Sequence, residues 1–258
     1  MVKRKAMTSE QARDVRQAGH NDALEFALAI GLSHDYLNDP TAKKDVIDKN
    51  GDAHSVKSGA KRWQIFLYGK NRFLNDVAFQ SMNGIGQILI KCLDIYPSTY
   101  AEYTANKAFY KENLRVPMRE LKNKFSENYR VKTFLNKAYF NGGEVNYLTV
   151  KHENKFHVFT NKDVIDVFGE YLEVVNSQAH RINNTPEQKV LFRYNGINLG
   201  ELEMRNSGEN HYKEVLFVWN KLKTINLLFE KITAKEDYNE KVILYGGAIR
   251  KFKVKIKS

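Results

Sequence analysis

The stretch Asp45-Val46-Ile47-Asp48-Lys49-Asn50-Gly51-Asp52-Ala53-His54-Ser55-Val56-Lys57 sets two β-compatible runs, Lys44 to Lys49 and Ala53 to Ser58, on either side of an Asn-Gly pair. Asn and Gly tolerate positive φ, so an Asn-Gly pair between such runs signals a hairpin. Loop length then fixes which side chains share a face, because a slip of one residue turns every side chain over. A three-residue loop, Lys49-Asn50-Gly51, built as a type I turn closed by a left-handed glycine, sets Asp45 opposite Ser55 with Lys57 on the same face. A two-residue Asn50-Gly51 loop would bring Asp48 to that face instead. The reading favours Asp45 and keeps Asp48 as the alternate.

Working outward, Thr8 to Leu32 reads as helix, with Thr8 or Ser9 as N-cap. Gly19 offers a break before a second start at Asp22, and two short helices or one kinked helix both fit. Beyond the hairpin, Trp63, Phe66, Leu67, Phe73, Leu74 and Val77 recur at helical spacing and predict helices from Lys61 to about Cys92. A basic helical stretch follows from Val116 to Lys137. Then come a strand over Val145–Lys151 with its hairpin partner Lys155–Thr160, and a helix over Asp163–Val175. Leu191–Tyr194 and Leu199–Arg205 flank Asn195-Gly196 as another hairpin. His211 to about Lys231 reads as a long amphipathic helix whose apolar residues, Val215, Val218, Trp219, Leu222, Ile225 and Phe229, suit a core or a dimer seam. Lys251 to Lys257 alternates strictly between cationic and apolar residues, as a strand does.

Composition narrows the partner. The 258 residues are 42% hydrophobic, enough for a real core, and 41 Lys and Arg against 30 Asp and Glu give +11. Such an excess favours a polyanion, nucleic acid first and an anionic membrane surface second. The longest apolar run, Ala23 to Leu32, carries Glu25 and is too short to span a bilayer, and no N-terminal cleavage pattern is visible. The expectation is a cytoplasmic protein. Cys92 is the only cysteine, which excludes an intrachain disulfide or a cysteine-based zinc cluster. The histidines show no zinc-like spacing. Gly84-Ile85-Gly86 is not a dinucleotide loop, and neither a phosphate-binding Gly-Lys-Ser/Thr nor a Gly-x-Ser-x-Gly elbow occurs. Nucleotide hydrolysis and acyl transfer therefore find no support.

Phosphodiester hydrolysis without a covalent intermediate needs carboxylates for a divalent cation, an activated water and a cation near the attacked phosphate. The hairpin supplies Asp45 and Lys57 for that chemistry. Glu25, Asp45 and Ser55-Val56-Lys57, in this order, resemble the PD-(D/E)XK nucleases, whose core is a helix with an acidic residue, a strand with Asp and a strand with Glu-x-Lys. Serine stands here in place of the second carboxylate, similar to a group of type II restriction endonucleases with a Ser-x-Lys motif. Gln64 and Tyr68, four apart, resemble the Gln-x-x-x-Tyr element that follows the lysine in some branches. The resemblance covers about residues 16 to 74.

That resemblance implies Mg²⁺ held by Asp45 and the backbone carbonyl of Val56, with Glu25 holding a metal-bound water or a second cation. It implies Lys57 as the group that orients or deprotonates the attacking water, Ser55 as a hydrogen-bonding residue and Gln64 as a further member of the site. Glu25 also has a bland reading, because Asp22 and Glu25 have capping-box spacing. For base readout the candidates are Arg205, Asn206, Ser207 and His211, and a further cluster of Arg181, Asn183 and Asn184. Lys122, Lys124, Arg130, Lys132 and the terminal lysines suit phosphate contacts.

The expected fold is α/β, a central mixed β-sheet flanked by helices as in restriction endonucleases, with additional α+β elements in the C-terminal half. It is expected as a single nuclease domain over 1–258, with core elements at about 9–95 and recognition elements at about 115–258. The expected function is Mg²⁺-dependent, site-specific cleavage of double-stranded DNA by a homodimer. Two other readings share the composition: a non-catalytic nucleic-acid-binding protein, and a structure-specific DNA repair nuclease with the same core.

Overall fold

The computed structural model describes residues 9–59, 61–179, 185–205 and 208–252. In chain order they form α1 (Ser9–Ala29), β1 (Val46–Ile47), β2 (Ala53–Lys57), β3 (Arg62–Tyr68), α2 (Lys70–Asn75), α3 (Val77–Gln80), α4 (Ile85–Ile95) and α5 (Tyr100–Ala105). There follow α6 (Lys107–Lys124), α7 (Asn128–Phe140), β4 (Tyr147–His152), β5 (Lys155–Thr160), α8 (Asn161–Tyr171), β6 (Glu173–Asn176), β7 (Lys189–Tyr194) and β8 (Ile197–Arg205). The last are β9 (Glu214–Asn220), α9 (Lys221–Lys231), β10 (Lys235–Asp237), β11 (Val242–Tyr245) and α10 (Gly247–Lys251). The fold class is α/β, and the chain divides into two compact units.

The first unit draws on residues 9–59, 139–164 and 232–252. Its sheet is mixed, in the order β1-β2-β4-β5-β11-β10, with β2 parallel to β4 and β11 parallel to β5. Helix α1 buries Ala23, Phe26 and Ala27, a stripe at helical spacing that Ile30 just beyond it continues, in one cluster with Val46, Tyr147, Phe156, Val158, Val242 and Leu244. The Phe26 ring is fully buried and lies 5.3 Å from Phe156. Truncating it to alanine would cost about 3–5 kcal/mol. Four of the six strands of this sheet come from beyond Asn146.

The second unit draws on 61–138, 165–179, 185–205 and 208–231. Its sheet is antiparallel, in the order β3-β9-β8-β7-β6, and its core is aromatic. Phe217 lies 5.4 Å from both Phe134 and Phe192 and 5.3 Å from Trp219. Gly200 pairs with Trp219 across the sheet, and a Cβ there would sit 2.1 Å from the indole ring. Only glycine lets the ring lie flat on β8 at that point.

Several expectations are corrected. Helix α1 is continuous, so no second N-terminus exists at Asp22 and its capping box with Glu25 does not form. Arg62–Tyr68 is a strand, not a helix. A bulge between Gln64 and Phe66 breaks its alternation, so the spacing of Trp63, Phe66 and Leu67 imitates a helical period. The helix expected over His211–Lys231 is strand β9 followed by α9. In β9 the buried residues are Val215, Phe217 and Trp219, at period two. The helix expected over Asp163–Val175 ends at Tyr171 and gives way to β6. Gly247–Lys251 is a helix, so the C-terminal alternation does not begin as a strand, and its remainder lies outside the described residues. Among the described residues no helix is long and apolar enough to cross a membrane.

Candidate active site

The hairpin of the first unit has the three-residue loop. Val46 pairs with His54 and Ile47 with Ala53, and the Asp48 N–H donates to the Asp52 carbonyl at 3.0 Å. Gly51 closes the turn at φ +78°, a conformation that a side chain would strain. Asp48 is consumed by this turn. Its Oδ1 accepts from the backbone N–H of Asn50 (2.8 Å) and of Asp52 (2.9 Å), and its Oδ2 lies 3.5 Å from Nε2 of His54. Burial pushes the Asp48 carboxyl up, but His54 and the two backbone donors more than offset this and hold it below its ordinary value. His54 itself is fully buried, stacked on Tyr147 at 4.6 Å, and burial holds its pKa down despite Asp48. Asp48 and His54 are therefore the buried footing of the hairpin.

Asp45 takes the opposite face. Its Oδ2 accepts the Val56 N–H at 2.7 Å and the Ser55 hydroxyl at 3.3 Å. Lys57 donates to the Ser55 hydroxyl at 2.8 Å and keeps its Nζ 3.9 Å from Asp45. The two charged side chains remain 29% and 21% exposed, whereas Ser55 is buried. In an antiparallel pair the start of one strand meets the end of the other, which is why Asp45 and Lys57 meet at one end of the sheet. Since a residue's N–H and C=O point to the same edge of an extended strand, the Val56 carbonyl faces the Asp45 side as well.

An open cleft of about 220 Å³ lies at this end, lined by Arg16, His20, Tyr36, Asn38, Asp45, Val56 and Lys57 with Gly19, Ala23 and Pro40. Burial raises the Tyr36 phenol, the Asp45 charge adds to that, and Asn38 opposes it. Arg16 and His20 were not singled out in the sequence. Their signal is the stripe Arg16, Gly19, His20, Ala23 on one face of α1, which becomes visible once the helix is continuous through Gly19.

Glu25 stands elsewhere. It accepts from Nζ of Lys151 at 2.6 Å and of Lys241 at 3.0 Å, and Asp22 shares Lys151 at 2.6 Å. Hydrogen bonds from Lys151 first, then Lys241, hold its carboxyl below the ordinary value. It is not among the residues lining the cleft. Gln64 belongs to the second unit, exposed on β3, while Tyr68 stacks on Phe66 at 4.5 Å beyond the bulge, so the helical pairing expected of Gln64 and Tyr68 is absent.

Among the described residues no group of three or more His, Cys, Asp or Glu side chains is placed to hold a metal ion. Asp45 is the one carboxylate among the described residues that lines the cleft. Mg²⁺ keeps several waters and is commonly held by one or two carboxylates together with substrate phosphates. The donor set of Asp45 and the Val56 carbonyl fits Mg²⁺ on those terms.

Of the residues expected to read bases, Arg205 ends β8 opposite Glu214, and His211 lies in the turn before β9 with Nδ1 2.6 Å from Glu214. Arg181, Asn183, Asn184, Asn206 and Ser207 lie outside the described residues. Of the phosphate candidates, Arg130 pairs with Glu127 at 3.0 Å and Lys132 with Asp166 at 2.7 Å. No protein-family model, curated protein or solved structure matches this chain.

Proposed function

We propose that this protein is a Mg²⁺-dependent endonuclease that hydrolyses phosphodiester bonds of duplex DNA at specific sites, in the manner of type II restriction enzymes. The observation that carries the reading is the junction of Asp45, Ser55 and Lys57 at the mouth of a cleft that also holds Arg16 and His20. A phosphodiester meets Arg16, His20 and Lys57 and one carboxylate there, and the +11 chain attracts the polyanion.

In this reading Lys57, steadied by the Ser55 hydroxyl, orients the attacking water and neutralises charge that grows on the phosphate oxygens. Arg16 and His20 hold the phosphate against α1. Asp45 and the Val56 carbonyl would hold Mg²⁺ with a phosphate oxygen. When bound, that ion polarises the scissile phosphate and eases deprotonation of water. Glu25 enters as an anchor of α1 to Lys151 and Lys241. Each chain carries one such junction, so cutting both strands calls for a homodimer on a symmetric site or for successive nicks.

A non-catalytic nucleic-acid-binding protein is the second reading, favoured by the single carboxylate in the cleft. Incubation of plasmid and phage DNA with wild type and Lys57→Ala, with Mg²⁺ and with chelator, separates the two. Discrete Mg²⁺-dependent fragments, reduced at least about 100-fold in rate by the variant, are expected. Intact DNA in every lane, with salt-sensitive binding kept in both proteins, would hand the case to the binding protein. A smear without defined fragments would point to a nuclease that cuts by structure.

A further inference from the structure

The second unit holds a pocket that the hydrolysis does not use. It measures about 270 Å³ and has Leu114, Leu191, Met204 and Tyr96 as apolar walls. All four are buried. Its polar side is built across two strands: Lys189 pairs with Glu203 and Leu191 with Glu201 in the β7/β8 register. Nζ of Lys189 sits 2.8 Å from Glu201 and 2.6 Å from Glu203. Lys111 lines the same pocket from α6, and no carboxylate among the described residues pairs with it. Burial lowers the Lys111 pKa, the cost of an ammonium drawn toward an apolar wall.

The chemistry narrows the occupant. Glu201 is paired with Lys189 and, at 3.5 Å, with Arg62, and Glu203 with Lys189, so both carboxylates keep their charge and repel a phosphate placed against them. A divalent cation would have to displace Lys189 from both carboxylates at once. What the pocket offers is a pair of fixed acceptors, one cationic donor without a counter-charge, and apolar walls. Pockets for drug-sized ligands run to about 300–1,000 Å³, so this one suits a single ring system. An unstacked nucleobase has that size, a face for apolar walls and an edge of donors and acceptors. Its exocyclic amine would donate to the Glu201/Glu203 pair and a ring acceptor would receive from Lys111. Thymine has carbonyl oxygens where that amine would be, and these would face the carboxylates.

We propose that the pocket lined by Lys111, Lys189, Glu201 and Glu203 binds one amine-bearing nucleobase, cytosine, adenine or guanine, drawn out of a nucleic-acid stack. For its source the proposal rests on the nucleic-acid reading above, but the base-sized pocket stands independently of it. The test measures binding of the full chain at pH 8 to single-stranded oligonucleotides of dC, dA and dT by fluorescence anisotropy. Equilibrium dialysis runs in parallel with free deoxycytidine, deoxyadenosine and thymidine. The dC and dA strands are expected to bind about 10-fold more tightly than dT, the discrimination one good base contact supplies. Glu203→Gln and Lys111→Met should each erase that preference while leaving dT binding unchanged, and Lys57→Ala should leave the preference intact.

Equal affinity for the three strands, or a preference that survives both pocket variants, overturns the proposal. If no oligonucleotide binds but the free amine-bearing nucleosides do, sensitive to Glu203→Gln, the nucleic-acid reading fails and the pocket stands. If neither strands nor nucleosides bind, both fail.

Discussion

Lys57 reaches the hydroxyl of Ser55 at 2.8 Å, and that hydroxyl in turn lies 3.3 Å from the carboxylate of Asp45. A buried serine thus links two charges that are themselves 3.9 Å apart. Removing it leaves the lysine without its fixed partner. Ser55→Ala is expected to slow cleavage about 10-fold with the Mg²⁺ requirement unchanged, and to alter stability by about 1 kcal/mol, the worth of one hydrogen bond. Single-turnover cleavage with a urea titration checks this. An unchanged rate would remove Ser55 from the site.

With one carboxylate available, the free protein is expected to hold Mg²⁺ weakly, and DNA should tighten that grip. Calorimetric titration of Mg²⁺ into the protein, and into its complex with a duplex, should show an affinity at least about 10-fold higher in the complex if a phosphate oxygen completes the donor set. Asp45→Asn should abolish the gain. Tight Mg²⁺ binding by the protein alone would mean that further carboxylates reach the ion.

Glu25 offers a cleaner division of roles. Held by Lys151 and Lys241 and still 33% exposed, it is expected to contribute no more than about 1 kcal/mol to stability. Glu25→Gln should therefore lower the unfolding midpoint slightly and leave the cleavage rate within about 3-fold of wild type. A loss comparable to that of Asp45→Asn, in a variant of normal stability, would return Glu25 to the chemistry.

His157 supplies the pH dependence. It is 7% exposed, with Nδ1 3.0 Å from the Tyr245 hydroxyl, and burial above all holds its pKa down to about 4. The unfolded chain titrates near 6.5, so it binds the extra proton first as the solution acidifies. Stability is then complete above that value and falls as the pH drops toward 4, by about 3 kcal/mol for this group. Urea midpoints of wild type and His157→Asn between pH 7 and pH 4.5 should diverge accordingly. Parallel profiles would show that His157 is protonated without penalty.

Much of the first unit was readable because turn chemistry is local. Gly51 at its left-handed position dictated the loop, the loop dictated the register, and the register separated Asp45 from Asp48. Glu153 and Asn154, both at positive φ, and Asn195-Gly196 behave likewise between their strands. The second unit hid its strands better. The bulge in β3 shifted its aromatic residues to a three-to-four spacing, and the period of β9 ran without a turn signal into α9, so the two merged into one apparent helix. Arg16 and His20 went unread because their relation to Asp45 exists only through α1 lying on the sheet, a contact that no spacing within one segment encodes. The pairs that fix Glu25 reach Lys151 and Lys241, and Lys189 holds two carboxylates from the neighbouring strand. Ion pairs across such distances follow topology rather than composition.

Strand β2 is flanked on one side by its own hairpin and on the other by β4, and the Ala53 N–H is taken by the side chain of Asn146, 93 residues onward. Contacts of such separation form late, because a long loop must close before they reward it. During synthesis the segment that carries Asp45 and Lys57 leaves the ribosome before β4, and one edge of β2 stays bare until the chain beyond Asn146 has followed. A nascent or prematurely terminated chain therefore carries the residues of the junction without the framework that holds them in place. The cell making this protein meets an assembled junction only once Asn146 and β4 have been made.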